Sequence, residues 1–387
     1  MPTTNWLPRA AKTTEVLTGA ITADDVATTY TLTRNGKTVS VVGQGSVGAT
    51  AAALVAAWNA STELDLSEQT AANPSSGTIT LTMDTAGVPS GTTTLTVSGG
   101  TGTRTALSAT TAATGPTFAD NANNWSGAAA PTTEDVQIDL SRGSILYGLG
   151  FAAGTLNSLY IFSPSPTQNT IGLPDVNAAG YLEDRTKAAT KAATTTKIEC
   201  ESPFIRWNYG ATANNTEVCK ANGLSQGTPA VLLSGTSTSN VCEILSGSVG
   251  LAFFPDESYA AANVRVSENA TFIQGPNGGT ITTITSIGTL ELNGLFDTLN
   301  QFGGSSIIEG TATPTLVYVR NSECDYRAGD ATAFKVGNGA INCNNDLTPF
   351  TITTLTLEPG GRLPDKFQRA TITTLVRGTG VEEIAGA

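Results

Sequence analysis

The chain has 387 residues, enough for two or three domains, and only 13% of them are charged, about half the usual share. A net charge of −12, from 20 basic and 32 acidic residues, argues against a nucleic-acid-binding surface. Histidine is absent, which excludes Ser-His-Asp and Cys-His nucleophile systems, histidine zinc sites and the usual general base near neutral pH. Gly, Thr, Ala and Ser stand where Lys, Glu and Arg would cover helices, so the composition is all-β with many turns.

Residues 1–17 read as an irregular arm whose main apolar pair is Trp6-Leu7. Residues 18–105 read as a small α/β domain with one helix on a sheet. Tyr30-Thr31-Leu32-Thr33 and Thr38-Val39-Ser40-Val41 alternate and are joined at Asn35-Gly36, a strong hairpin signal. Ser46 is placed to cap a helix reaching Asn59, with Val47, Leu54, Val55 and Trp58 on one face. Strands Thr78–Met83 and Thr92–Val97 follow. A Gly/Thr/Ala stretch makes 106–122 a linker, and 123–387 the second domain, with Trp125 expected to cap one end of its core.

In that second domain short apolar strands return about every 15 to 23 residues, as at Lys197-Ile198-Glu199-Cys200, Val241-Cys242-Glu243-Ile244 and Leu316-Val317-Tyr318-Val319. Thr-Ile-Thr-Thr occurs at 280, 351 and 371. Each unit can bury its apolar row only by stacking on its neighbours, which predicts a parallel β-helix. About ten rungs would make a rod on the order of 50 Å long. A β-sandwich is the alternative, kept open by Asn293-Gly294 and Asn338-Gly339. The beat weakens between Phe162 and Lys197 and between Phe334 and Asn345, where insertions are expected to bulge from the rod.

The first six residues have neither the basic start nor the apolar core of a signal peptide, and no run approaches a membrane span. Synthesis in a cytoplasm with reduced thiols is expected. Cys200, Cys219 and Cys242 fall at similar phases of successive repeats, as stacked core residues or as a metal or disulfide ladder; Cys324 and Cys343 complete the set. Gly43-Gln44-Gly45-Ser46-Val47-Gly48 matches a dinucleotide fingerprint, but a hairpin strand precedes it and no βαβ units follow, so it reads as a turn into a helix.

Carboxylates are what remain for catalysis. Candidates are Glu183 with Asp184, Asp256 with Glu257, Glu323 with Asp325, and Asp330. Neighbours on a strand point to opposite faces, so only Glu323 and Asp325 are expected to share one. Arg185, Lys187, Lys191 and Lys197 form the one basic cluster, read as a solvated loop or a contact for an acidic protein surface. No catalytic, cofactor or metal site is assigned.

Asn35-Gly36-Lys37-Thr38-Val39, followed by Ala51 through Ser61, resembles a small domain of tailed-bacteriophage virion proteins. Asn123-Asn124-Trp125-Ser126-Gly127, Arg142 through Leu149, and Ile171-Gly172-Leu173-Pro174 are similar to phage structural proteins with Thr/Gly-rich β-helices. The resemblance implies a non-enzymatic virion component that decorates or cements a capsid. It also implies a homotrimer in contact with the major capsid protein, while the acidic charge, the missing signal peptide and the missing span lead to the expectation of assembly in the host cytoplasm with no nucleic-acid or membrane partner. A tail fibre or tailspike binding, and perhaps cleaving, a host surface glycan is the alternative; a bacterial surface adhesin is a third.

Overall fold

The computed structural model describes residues 3–378, apart from 167, 202–203, 222–227, 278, 311 and 366–367. Expectations for residues 1–2 and 379–387 lie outside the described residues. The chain is mainly β, a small β domain with one helix followed by a parallel β-solenoid.

In the small domain two antiparallel sheets surround one core. One is ordered Gln69–Ala72, Thr78–Met83, Val16–Ala23, Thr103–Thr111; the other is Lys37–Val42, Thr29–Arg34, Thr93–Ser98. Asn35 and Gly36 both have positive φ (48° and 76°), as a tight two-residue hairpin demands. The helix spans Val47–Asn59, and the Ser46 side chain accepts a hydrogen bond from the Ala49 amide. Leu54 and Trp58 reach the core with Tyr30, Leu32, Ile79 and Leu81, while Val47 and Val55 pack at its rim. The fingerprint glycines thus make a hairpin-to-helix turn.

Two boundaries differ from the sequence reading. The strand Thr103–Thr111, paired with Val16–Ala23, runs into the stretch read as a linker. Its residues are small and mostly exposed, so the apolar alternation that marks a strand is missing. The arm is not free either. Thr3–Asn5 pairs in parallel with Asp135–Asp139, adding a first rung to the solenoid.

Among the described residues the main wall of the solenoid stacks twelve strands: Asp135–Asp139, Leu156–Phe162, Ala193–Cys200, Asn215–Ala221, Val241–Leu251, Ala261–Gln274, Ile281–Ser286, Phe296–Gln301, Leu316–Arg320, Ala331–Gly337, Phe350–Leu357 and Ala370–Arg377. At about 4.8 Å per step this is roughly 50 Å of rod. One inward column reads Cys242, Val264, Ile284, Leu299, Val317, Phe334, Leu355 and Leu375. A second wall includes Ile205–Asn208, Val231–Ser234, Thr289–Leu292, Ser305–Ile308, Glu323–Tyr326 and Gly339–Asn342. Every pairing among the described residues of the rod's two walls is parallel, which removes the sandwich: Asn338-Gly339 joins strands of different walls and not a hairpin. Nor is the stack a closed barrel, because Asp135–Asp139 already has Thr3–Asn5 on one side and Leu156–Phe162 on the other.

Steps along the column vary from 15 residues (Ile284 to Leu299) to 26 (Thr216 to Cys242), and one step, Leu159 to Thr196, takes 37. The expected insertion after Phe162 is therefore present. The one expected between Phe334 and Asn345 is not: Ala331–Gly337 and Gly339–Asn342 are regular rungs. Ala331, Ala333, Gly337, Gly339 and Ala340 fill that rung with side chains too small to register as an apolar beat.

The cysteines do not stack. Cys200 sits beside Ala221, Cys242 between Thr216 and Val264, and a bulge after Ile198 puts Cys219 out of register. All five thiols are free. Burial pushes those of Cys200, Cys242, Cys324 and Cys343 up to about 12, so they behave as inert core groups.

Polar stacking does occur at one corner. Asn240 is fully buried; it accepts from the Asn214 amide (2.9 Å) and donates to the Ala260 carbonyl (3.0 Å), while Asn214 donates to the Ala193 carbonyl (2.7 Å). The two asparagines tie four consecutive rungs together. Asn240→Ala orphans a buried amide and a buried carbonyl, so it should lower stability by about 2 kcal/mol. Chemical denaturation reads the loss, and an unchanged midpoint would contradict this role.

The two ends of the rod differ. Trp6 and Trp125 lie edge to face at 5.0 Å over the first rungs, both nearly fully buried. At the other end Ile372 and Leu375, which continue the columns of buried Ile352 and Leu355, are 36% and 44% exposed.

Candidate functional site

Charge gathers where the 37-residue step leaves the rod. The loop after Leu173 carries Asp175, Tyr181, Glu183, Asp184, Arg185 and Lys187, and it reaches the small domain.

Arg34 closes an inward row with Tyr30 and Leu32, so its guanidinium is fully buried. It donates to the Asp65 carbonyl (2.7 Å) and pairs with Glu68 (2.6 Å). Across the junction Arg185 pairs with the same Glu68 (2.5 Å), with buried Glu183 (3.1 Å) and with the Pro89 carbonyl (2.8 Å). Asn35 donates to the Leu182 carbonyl (2.8 Å), and Asp184 accepts from the Thr92 amide (3.0 Å). Gly91 leaves the room for that carboxylate, since an added Cβ would overlap it. Burial opposes ionisation of Glu68, but the Tyr181 hydroxyl, Arg34 and Arg185 outweigh it and hold the carboxyl below its ordinary 4.5. Tyr181 is pushed up to about 12 by burial and by its bond to that carboxylate.

On the rod side, Arg206 stands in Phe204-Ile205-Arg206-Trp207 with its side chain almost wholly buried. It pairs with Asp175 (2.9 Å) and Glu257 (2.8 Å), lies 3.7 Å from Asp256, and stacks 4.2 Å from the Phe254 ring centre. A cleft of about 410 Å³ opens here, lined among others by Lys187, Arg206, Asn208, Thr236, Asp256 and Ser258. A second, of about 440 Å³, opens at the junction beside Gly91, Asp120, Tyr147, Asp184 and Arg185.

This geometry corrects the reading of the basic cluster. Arg185 is taken by Glu183 and Glu68, and Lys187 by Asp175 (2.6 Å). Lys191 donates to the Ala152 carbonyl (2.6 Å), and Lys197 pairs with Glu199 (3.3 Å) on another face. Each cation has a partner within the chain, so the four form no patch.

Asp256 and Glu257 do converge, on Arg206, because they lie in a turn where strand alternation does not apply. Glu323 and Asp325 share the outward face as expected, but Asp325 is bound to Arg327 (2.6 Å) and Asn345 (2.7 Å). Asp330 accepts from the Thr351 amide (2.6 Å). Burial would raise the Asp175 carboxyl, but Lys187 and Arg206 hold it below its ordinary value. A general acid at a glycosidic bond needs the opposite shift. Asp175 therefore suits an ion-pair clamp better than proton transfer.

Arg34, Glu68, Asp175 and Arg206 were missed by the motif reading, although two of them left a signal. Arg34 sits at an inward position of an alternating strand, and Arg206 interrupts an apolar run. Among the described residues no group of three or more metal-ligating side chains occurs, and no helix is long and apolar enough to cross a membrane. No family model matches the chain, and neither a curated protein nor a solved structure matches it.

Proposed function

We propose that the chain is a non-enzymatic structural protein of a tailed-phage particle, decorating or cementing the outside of the capsid. The observation that carries this reading is the use of the 37-residue step, the longest excursion between described rungs of the main wall. In a β-helix that acts on a ligand, such a loop would be free to build a site. Here its charged side chains clamp the chain's own N-terminal domain to the rod, so the conspicuous polar groups serve stiffness. The resemblance of the 35–61 and 123–174 segments to virion proteins supports the same role, and the net charge of −12 suits a surface that does not bind the packaged genome. The partner would be the major capsid protein.

A second reading has one observation in its favour. The cleft at Arg206 offers Lys187, Asn208, Thr236, Asp256 and Ser258, a set of donors and acceptors suited to sugar hydroxyls. In that case the chain is a fibre or tailspike that binds a host glycan. Quantitative mass spectrometry of purified particles separates the two. Copy number in proportion to the major capsid protein supports decoration; a few copies that co-purify with detached tails would overturn it.

A further inference from the structure

Among the described residues the last strand, Ala370–Arg377, pairs only with Phe350–Leu357, and none of them occupies its other backbone edge. Its inward side chains lack cover too. The ladder skips Thr373, so Ile372 and Leu375, three residues apart, both continue inward columns while lying 36% and 44% exposed. Exposed edges are usually blunted by lysine, proline or a bulge. Ala-Thr-Ile-Thr-Thr-Leu-Val-Arg has no lysine or proline, and its single charge, Arg377, stands at the end in the column of Leu357.

We infer that a second copy of the chain closes this edge, the two strands running antiparallel about a two-fold axis between Thr373 and Thr374. In that register Ile372 of each copy faces Leu375 of the other, and Thr373 faces Thr374 at the bend. Thr371 faces Val376, and Arg377 faces Ala370, so the cation never meets itself. Moving the centre by half a step, onto Thr374, sets Leu375 against Thr373 and Ile372 against Val376. Only the centred register matches both inward residues to inward residues. Strand addition supplies the missing backbone bonds, and the two cores become continuous. Head-to-tail stacking does not fit, because among the described residues the opposite end offers only the short polar strand Thr3–Asn5 beneath Trp6 and Trp125. The contact is therefore closed, giving a dimer and not a filament. It is independent of the virion reading and differs from the trimer that the resemblance implies.

Sedimentation velocity of the full chain tests it. The chain should sediment as a dimer. The double variant Ile372→Lys/Leu375→Lys should weaken dimerisation by about a hundredfold or more, with an unchanged far-UV spectrum. Because that variant could lose its last rung, a second measurement uses Thr373→Cys/Thr374→Cys in a Cys219→Ser background. Mild oxidation should give a disulfide-linked dimer between position 373 of one copy and 374 of the other. A monomer at every concentration, a trimer or a filament would overturn the inference. So would a dimer that appears only after removal of residues 379–387, or one that the lysines leave intact.

Discussion

Replacing Trp6 with alanine should cost about 3–5 kcal/mol at the N-terminal end of the rod, the range for removing a buried tryptophan from a packed site. Trp6 is 1% exposed, lies edge to face on Trp125, and donates through its indole to the Gly143 carbonyl (3.3 Å). The residues after it are held as firmly. Asn124, itself fully buried, accepts from the Arg9 and Ala10 amides and donates to the Gly115 and Phe118 carbonyls. Rungs contact only their neighbours, so the loss should stay local. Amide exchange should accelerate about a hundredfold or more along Thr3–Asn5 and Asp135–Asp139. It should stay unchanged near Val317. Uniform protection in the variant would mean that the tryptophan contributes nothing to closing this end.

Arg185→Met should cost a similar 3–5 kcal/mol, expressed at the junction between the domains. Methionine keeps the bulk but leaves Glu183, whose side chain is 2% exposed, without its cation. A buried charge stripped of its partner is among the more costly defects in a protein. Limited proteolysis should then cut between the domains, and the two should melt separately. Arg185→Lys should recover only part of the loss, because one ammonium cannot serve Glu68, Glu183 and the Pro89 carbonyl together. A single unchanged transition would show that the domains are held by other contacts.

The same junction should be acid-sensitive. Glu68 has a carboxyl held below 4.5 in the folded chain, so the unfolded chain binds its proton first as pH falls. Its stabilisation is complete above about pH 4.5 and is lost as pH drops through the lower folded value. Melting followed from pH 7 to pH 3 should show the junction weakening in that window. Glu68→Gln should flatten the dependence.

Much of the architecture was legible because solenoid rungs and hairpins are local. Asn35-Gly36, the Ser46 cap and the Thr-Ile-Thr-Thr echoes each bind neighbours in sequence or in stacking order. What escaped reading was carried by distance or by small residues. The pairing of Thr3 with Asp135 leaves no local mark, and the rung at 331–342 is built of Ala and Gly. The candidate site was legible only in pieces. Glu183, Arg185, Asp256 and Glu257 stood out as charges in a sequence only 13% charged, but Glu68 and Arg206, which pair with three of them, come from other elements. A one-dimensional pattern cannot show which charge answers which.

The first rung also sets an order of events during synthesis. Thr3 and Asp135 are 132 residues apart, whereas most later rungs find their template within about one turn of the coil. Thr3–Asn5 stay unpaired until Asp135–Asp139 has been made, a longer separation than at the other described rungs. The small domain has to form before them, since its folding draws residues 16 and 111 together and shortens the loop that must close. The rod can meanwhile grow rung by rung on the strand before it. Closure by Trp6 is then a late step, slow by the measure of sequence separation, and unfolding the small domain with its residues kept, as Leu54→Asp should do, lengthens the loop to be closed and should slow it further.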